Sequence, residues 1–122
     1  MSLSTPHLGY MYKYSKLIDA GMWFLKKWRG SQCLQQLSMT DTKDVKSSFI
    51  YQLTNKKGLN WFKHVVLVAS YQDQYAPYDS ARVEVHTKAA ADPANGHLYL
   101  EMANNILTQL STDSLYRLDI SF

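Results

Sequence analysis

The chain has 122 residues, 46% of them hydrophobic and 13% aromatic, which is enough apolar surface for one cored domain and too much for a disordered tail. Its net charge of +3 is too slight to argue for a nucleic-acid partner, and no apolar run reaches the ~18–20 residues that span a bilayer. The single Cys33 excludes an intrachain disulfide and a zinc-type cysteine pair, fits a reducing compartment, and reads as a small core hydrophobe.

Residues 1–5 read as the end of a strand that breaks at Pro6 and Gly9. Met1 to Pro6 has neither the basic flank nor the apolar body of a signal peptide, so the chain is expected in the cytoplasm. From Ser15, a plausible N-cap, a helical spacing runs through Leu17, Ile18, Met22, Phe24, Leu25 and Trp28 to Gly30, where a glycine ends a helix well. Local charge is concentrated here: Lys13, Lys16, Lys26, Lys27 and Arg29 face Asp19 alone between residues 10 and 30. Lys26-Lys27-Trp28-Arg29 with Trp23 and Phe24 reads either as a lipid-facing cap or as a surface helix whose cations complement its own dipole. The second reading is preferred. No Gly-rich loop or recognition helix accompanies the cluster, so nucleic acid is not an expected partner.

A short helix is expected over Gln32 to Leu37, and a further one marked by Val45, Phe49, Ile50 and Leu53 that stops between Asn55 and Gly58. Phe62 to Ser70 contains Val65-Val66-Leu67-Val68, a run suited to a parallel strand covered on both faces. Asp73 follows at the carboxyl end of that strand, where open α/β sheets keep their sites, and Pro77 sits well at the first turn of a short helix around residues 80–85. Residues 87–97, with Asp92-Pro93 and Asn95-Gly96, read as a loop ending in an Asn95 cap. The next helix places Tyr99, Met102, Ala103, Ile106, Leu107 and Leu110 on one face, opposite Glu101, Asn104, Asn105 and Thr108. Leu115 to Phe122 alternates as a half-buried last strand. Strands separated by helices imply an α/β fold, about three parallel strands with covering helices joined by right-handed crossovers.

Several segments in order resemble the putative serine esterase family of lipase-like α/β hydrolases, in particular its large eukaryotic members with a carboxyl-terminal esterase domain. They are Ser2-Leu3-Ser4-Thr5-Pro6-His7-Leu8-Gly9-Tyr10-Met11, Gly21-Met22-Trp23-Phe24-Leu25-Lys26-Lys27-Trp28, Cys33-Leu34-Gln35-Gln36-Leu37-Ser38-Met39-Thr40-Asp41, and Val65 through Arg82. The resemblance implies that residues 1–5, 62–70 and 115–122 are the sixth, seventh and eighth strands of a partial α/β-hydrolase fold. It also makes Asp73, in an Asp-x-x-x-Pro segment with Pro77, the acid of a Ser-His-Asp triad. Ala76 stands where valine is more usual, a departure that concerns packing rather than chemistry.

No Gly-x-Ser-x-Gly elbow occurs in the chain, and the resemblance places the catalytic histidine after the last strand. The 122 residues therefore read as a single incomplete domain, the carboxyl-terminal part of a serine esterase that would be inactive alone. Its ester or lipid substrate would bind only in the complete domain. A second reading is a non-catalytic remnant that associates with itself or a partner through an exposed sheet edge. His97 is an ordinary helix-start residue and His7 a structural one, while for His64 and His86 the sequence names no particular partner. Four scattered histidines without an i, i+4 pair do not form a metal site, and no cofactor is expected.

Overall fold

The computed structural model describes residues 1–10 and 31–122. The expected helix from Ser15 to Gly30, with its Lys26–Arg29 cluster, lies outside these residues. The described chain runs β1 (Ser2–Leu3), α1 (Gln32–Leu37), α2 (Phe49–Thr54), β2 (Val65–Ala69), α3 (Tyr78–Arg82), α4 (Thr87–Ala90), α5 (Gly96–Leu107) and β3 (Leu115–Asp119), with 3-10 turns at Val45–Ser47, Leu59–Trp61 and Thr112–Ser114. The three strands form one parallel sheet in the order β1-β2-β3, as the strand-helix alternation requires.

Register decides what each strand residue meets. Ser2 pairs with Leu67 and Leu3 with Val68, while Val65 pairs with Leu115 and Leu67 with Arg117. Because side chains alternate along a strand, Val65, Leu67 and Leu115 share one face. They pack there with Ile50 and Tyr51 of α2 and with Leu98, Tyr99, Met102, Ala103 and Ile106 of α5. Met102 is completely buried, so the expected stripe of α5 does face the sheet. Leu110 falls beyond the end of that helix.

The opposite face is barer. Leu3, Tyr116, Leu118 and Ile120 remain 46–61% exposed there, although Val68 between them is buried. The alternation of β3 is thus real, but Tyr116, Leu118 and Ile120 face outward and Leu115 alone of its apolar residues packs on the helix side. The next helix-side position belongs to Arg117, whose Nε donates to the Arg82 carbonyl at 2.8 Å and lies 3.4 Å from Glu84.

Local chemistry moved other boundaries. The helix expected from Val45 to Leu53 is split at Ser48, which is fully buried and extended (φ −66°, ψ 151°) and whose hydroxyl donates to the Val45 carbonyl at 2.6 Å. β2 starts at Val65 rather than Phe62, because Leu59–Trp61 coils into a 3-10 turn and leaves Phe62 exposed. The expected loop at 87–97 contains α4: Ala89 and Ala90 are strong helix formers, and the His86 side chain caps the turn by accepting from the Lys88 amide at 3.1 Å. Asn95 stands before α5 without a side-chain cap bond, and Asp92 Oδ1 takes the Ala94 and Asn95 amides instead. Cys33 is exposed rather than buried: the six-residue α1 buries none of its residues, and its contact with the core is made by Leu37.

Candidate functional site

The site is built where β2 ends. Ala69 is buried and closes the strand, Ser70 is buried after it, and the chain turns back with the Asp73 amide on the Ser70 carbonyl (3.3 Å) and the Gln72 amide on Ser70 Oγ (3.1 Å). Asp73 then folds over its own loop, and Oδ1 accepts the Tyr75 amide at 2.8 Å and the Ala76 amide at 3.0 Å, an Asx turn that leads into α3. Pro77 stands at the N-cap of that helix, one position before its first residue. With its fixed φ and no N–H it leaves no donor wanting a partner there.

Burial acts to raise the Asp73 pKa, but the Ala76 and Tyr75 amides and the Ser4 hydroxyl outweigh it, and the net shift is downward. The group is therefore held as a carboxylate at neutral pH. Ser4 reaches Asp73 because it turns out of β1 with φ 44° while its amide stays on the Val68 carbonyl at 2.9 Å. Tyr10 stands close enough that burial and the Asp73 charge both raise its phenol pKa.

A cavity of about 390 Å³ opens beside the carboxylate, lined by Ser4, Ser70, Gln72, Gln74, Tyr75 and Phe122. Gln72 joins the loop to the chain leaving β3. Its Oε1 accepts the Phe122 amide at 2.7 Å, and its Nε2 donates to the Phe122 carbonyl. Behind it, Arg82 pairs with Glu84 at 2.9 Å and with Asp119, and the Tyr78 hydroxyl donates to Asp119 at 2.8 Å. The Glu84 hydrogen bond first, against the cost of burial, raises the Arg82 pKa. This network fixes α3 against the carboxyl end of β3, so the two chain segments flanking the cavity are braced to each other.

Sequence reasoning singled out Asp73 and its strand-end position. It passed over Ser4, Tyr10 and Gln72, whose links to the site arise between elements remote in the chain. The histidines lie elsewhere. His7 Nε2 is 2.8 Å from Ser2 Oγ, His64 meets Tyr116 edge-on at 5.7 Å, His86 caps α4, and His97 is exposed on α5. Among the described residues no three His, Cys, Asp or Glu side chains converge as metal ligands. Nor, among them, is any helix long and apolar enough to cross a membrane.

The model of the family described as putative serine esterase matches residues 1–89, which include the whole Asp73 loop and α3. No solved structure matches the chain.

Proposed function

This chain belongs to the serine esterase family matched over residues 1–89, and we propose that it supplies the acid, Asp73, to a Ser-His-Asp triad that hydrolyses carboxylic esters. The observation that carries the reading is the placement of an ionised carboxylate at the carboxyl end of the central parallel strand, beside a cavity that the chain leaving β3 also borders. The serine elbow and the catalytic histidine belong to parts of the domain outside these 122 residues.

The chemistry follows from that division. The serine Oγ attacks the ester carbonyl while the histidine takes its proton; the tetrahedral intermediate collapses and the alcohol leaves with that proton. Water then repeats the sequence on the acyl-enzyme and releases the acid. Asp73 stays ionised throughout, holds the imidazole N–H and stabilises the imidazolium. Two backbone amides on Oδ1 and the Ser4 hydroxyl fix the carboxylate before any histidine arrives. Such a carboxylate loses little freedom when the triad assembles.

The isolated chain is then inactive, and the complete domain depends on Asp73. With p-nitrophenyl esters, Asp73→Asn in the complete domain should lower kcat by about 10³- to 10⁴-fold with KM little changed, the loss expected when a triad histidine is left without its acid. Wild-type turnover in that variant would overturn the assignment. Ester turnover by the pure chain, lost on Asp73→Ala, would overturn the claim that it needs the rest of the domain.

A second reading is favoured by the bare sheet: an interaction module or self-associating remnant whose exposed Leu3, Leu118 and Ile120 are covered by another chain. Cytoplasmic placement belongs to the same proposal, supported by a lone Cys33 that has no intrachain partner.

A further inference from the structure

The amino-terminal end of the sheet carries a tip that the esterase reading does not use. α2 ends at Thr54, and the chain passes through Lys56 and Lys57 to Gly58, whose φ of 144° is one that glycine adopts without strain. Leu59–Trp61 then coils as a 3-10 turn, closed by the Trp61 amide on the Gly58 carbonyl at 3.1 Å and the Phe62 amide on the Leu59 carbonyl at 3.2 Å. Leu59 packs against the core and anchors the turn. Trp61 and Phe62 are left outside it, 82% and 63% exposed.

Cations flank this aromatic pair. Lys56, Lys57 and Lys63 are exposed, and none of them forms an ion pair among the described residues. Lys56, Lys57, Phe62 and His64 border one end of an apolar groove of about 530 Å³ that runs beside β1, so charge and aromatic surface lie together. From Gln52 to Gln72 the chain holds no Asp or Glu. Asp113, in the turn before β3, is an acid at the same end of the sheet, and three lysines against it leave that end positive.

We propose that this tip is a membrane anchor. Trp61 and Phe62 enter the interfacial layer of a bilayer rich in anionic phospholipid, and Lys56, Lys57 and Lys63 meet its headgroup phosphates. A tryptophan suits that layer because its ring is apolar over both faces and keeps a polar N–H for the headgroups. Stable attachment takes two signals, and the tip joins an apolar insertion to a basic cluster.

Composition and shape disfavour other partners. Lysine is depleted from protein–protein interfaces where arginine is enriched, and residues 52–72 hold three lysines and no arginine. Single-stranded nucleic acid is bound in a basic groove that follows its backbone past successive stacking rings, whereas here two adjacent aromatics stand out from one turn. The carboxyl end of the sheet has a different balance, with exposed Tyr71 and Tyr75 near the carboxylates of Asp119 and Asp73. The five residues of β2, at about 3.3 Å each, separate the two ends, so attachment by the tip holds the Asp73 end away from the bilayer.

The test uses the full 122-residue chain and sucrose-loaded vesicles of phosphatidylcholine, with or without about 30% phosphatidylserine, at about 0.1 M salt. Co-sedimentation is expected with the anionic vesicles and not with the neutral ones, and should weaken as salt is raised. Trp61→Ala with Phe62→Ala should reduce binding about tenfold or more. Lys56→Gln, Lys57→Gln and Lys63→Gln together should reduce it about a hundredfold, at roughly fivefold per lysine. All five positions are exposed, so the melting temperatures of both variants should match wild type. Lys26→Gln with Lys27→Gln and Arg29→Gln should bind as wild type does. No binding to anionic vesicles, binding untouched by the tip variants, or a loss that follows the Lys26 set instead would overturn the proposal. So would tighter binding to a single-stranded oligonucleotide than to the vesicles at the same salt. The Asp73→Asn chain should bind vesicles as wild type does, so this test stands or falls apart from the esterase reading.

Discussion

At the residue scale, the most consequential contacts are single hydrogen bonds that tie loops to helices. The Leu8 amide donates to Ser80 Oγ at 3.0 Å, with both residues fully buried. This bond holds the loop after β1 against α3, and through α3 against the Asp73 turn. Ser80→Ala leaves the Leu8 N–H unsatisfied in the interior, so a loss of about 1–3 kcal/mol is expected, read as a lowered urea midpoint with unchanged slope. His7 gives a pH signature. Burial lowers its pKa below the usual 6.5, so as pH falls through that value the unfolded chain takes the proton before the folded one does. Stability is then full above 6.5 and declines toward the lower folded pKa. Melting should occur at a lower temperature at pH 5.5 than at pH 7.5, and His7→Gln should narrow that gap. An equal gap in the variant would assign the pH dependence to other groups.

At the element scale, α5 carries the packing and its start is set by close backbone approach. A Cβ at Gly96 would collide with the carbonyls of Ala89 and Ala90 in α4, which are backbone atoms and cannot swing away. Helix propensity alone favours Gly96→Ala by up to about 1 kcal/mol, but the overlap forces α4 from α5 at a cost of about 1–3 kcal/mol. The variant should therefore melt lower than wild type; a higher melting temperature would mean that α4 gives way freely. Where several elements meet, the pattern read along the chain fails in an instructive way. Ser48 lies in a helical spacing but bonds its own backbone and divides it. The Ala89-Ala90 pair lies in a stretch punctuated like a loop but coils because His86 supplies the cap.

At the scale of the whole molecule, among the described residues the sheet is covered on one face and left bare on the other. Leu118 and Ile120 are 51% and 50% exposed, next to Leu3 and Tyr116, an apolar strip of the kind that draws proteins together. Leu118→Lys with Ile120→Lys should raise solubility and reduce self-association in sedimentation while leaving the melting temperature nearly unchanged, because neither side chain belongs to the buried core. Unaltered association in that variant would point to the β1 edge or the groove beside it as the adhesive surface. The core on the helix side is continuous from Leu8 through Leu67 to Ile106.

The sequence by itself determined the strands and their parallel type, the inward stripe of α5, and a carboxylate placed just past β2. Each of these is written in a local pattern: an apolar run, a spacing of three and four, a carboxylate just past a strand. Tertiary structure alone decided which face of β3 is buried, because the alternation is the same whichever side the helices take, and Arg117 won the inner position through bonds to α3 and its following turn. It also decided the surroundings of Asp73. The Ser4 hydroxyl comes from the neighbouring strand and the Gln72–Phe122 clamp closes over a separation of 50 residues. Such contacts exist only once register has brought the ends of β1, β2 and β3 side by side, and register is a property of paired strands rather than of any one of them.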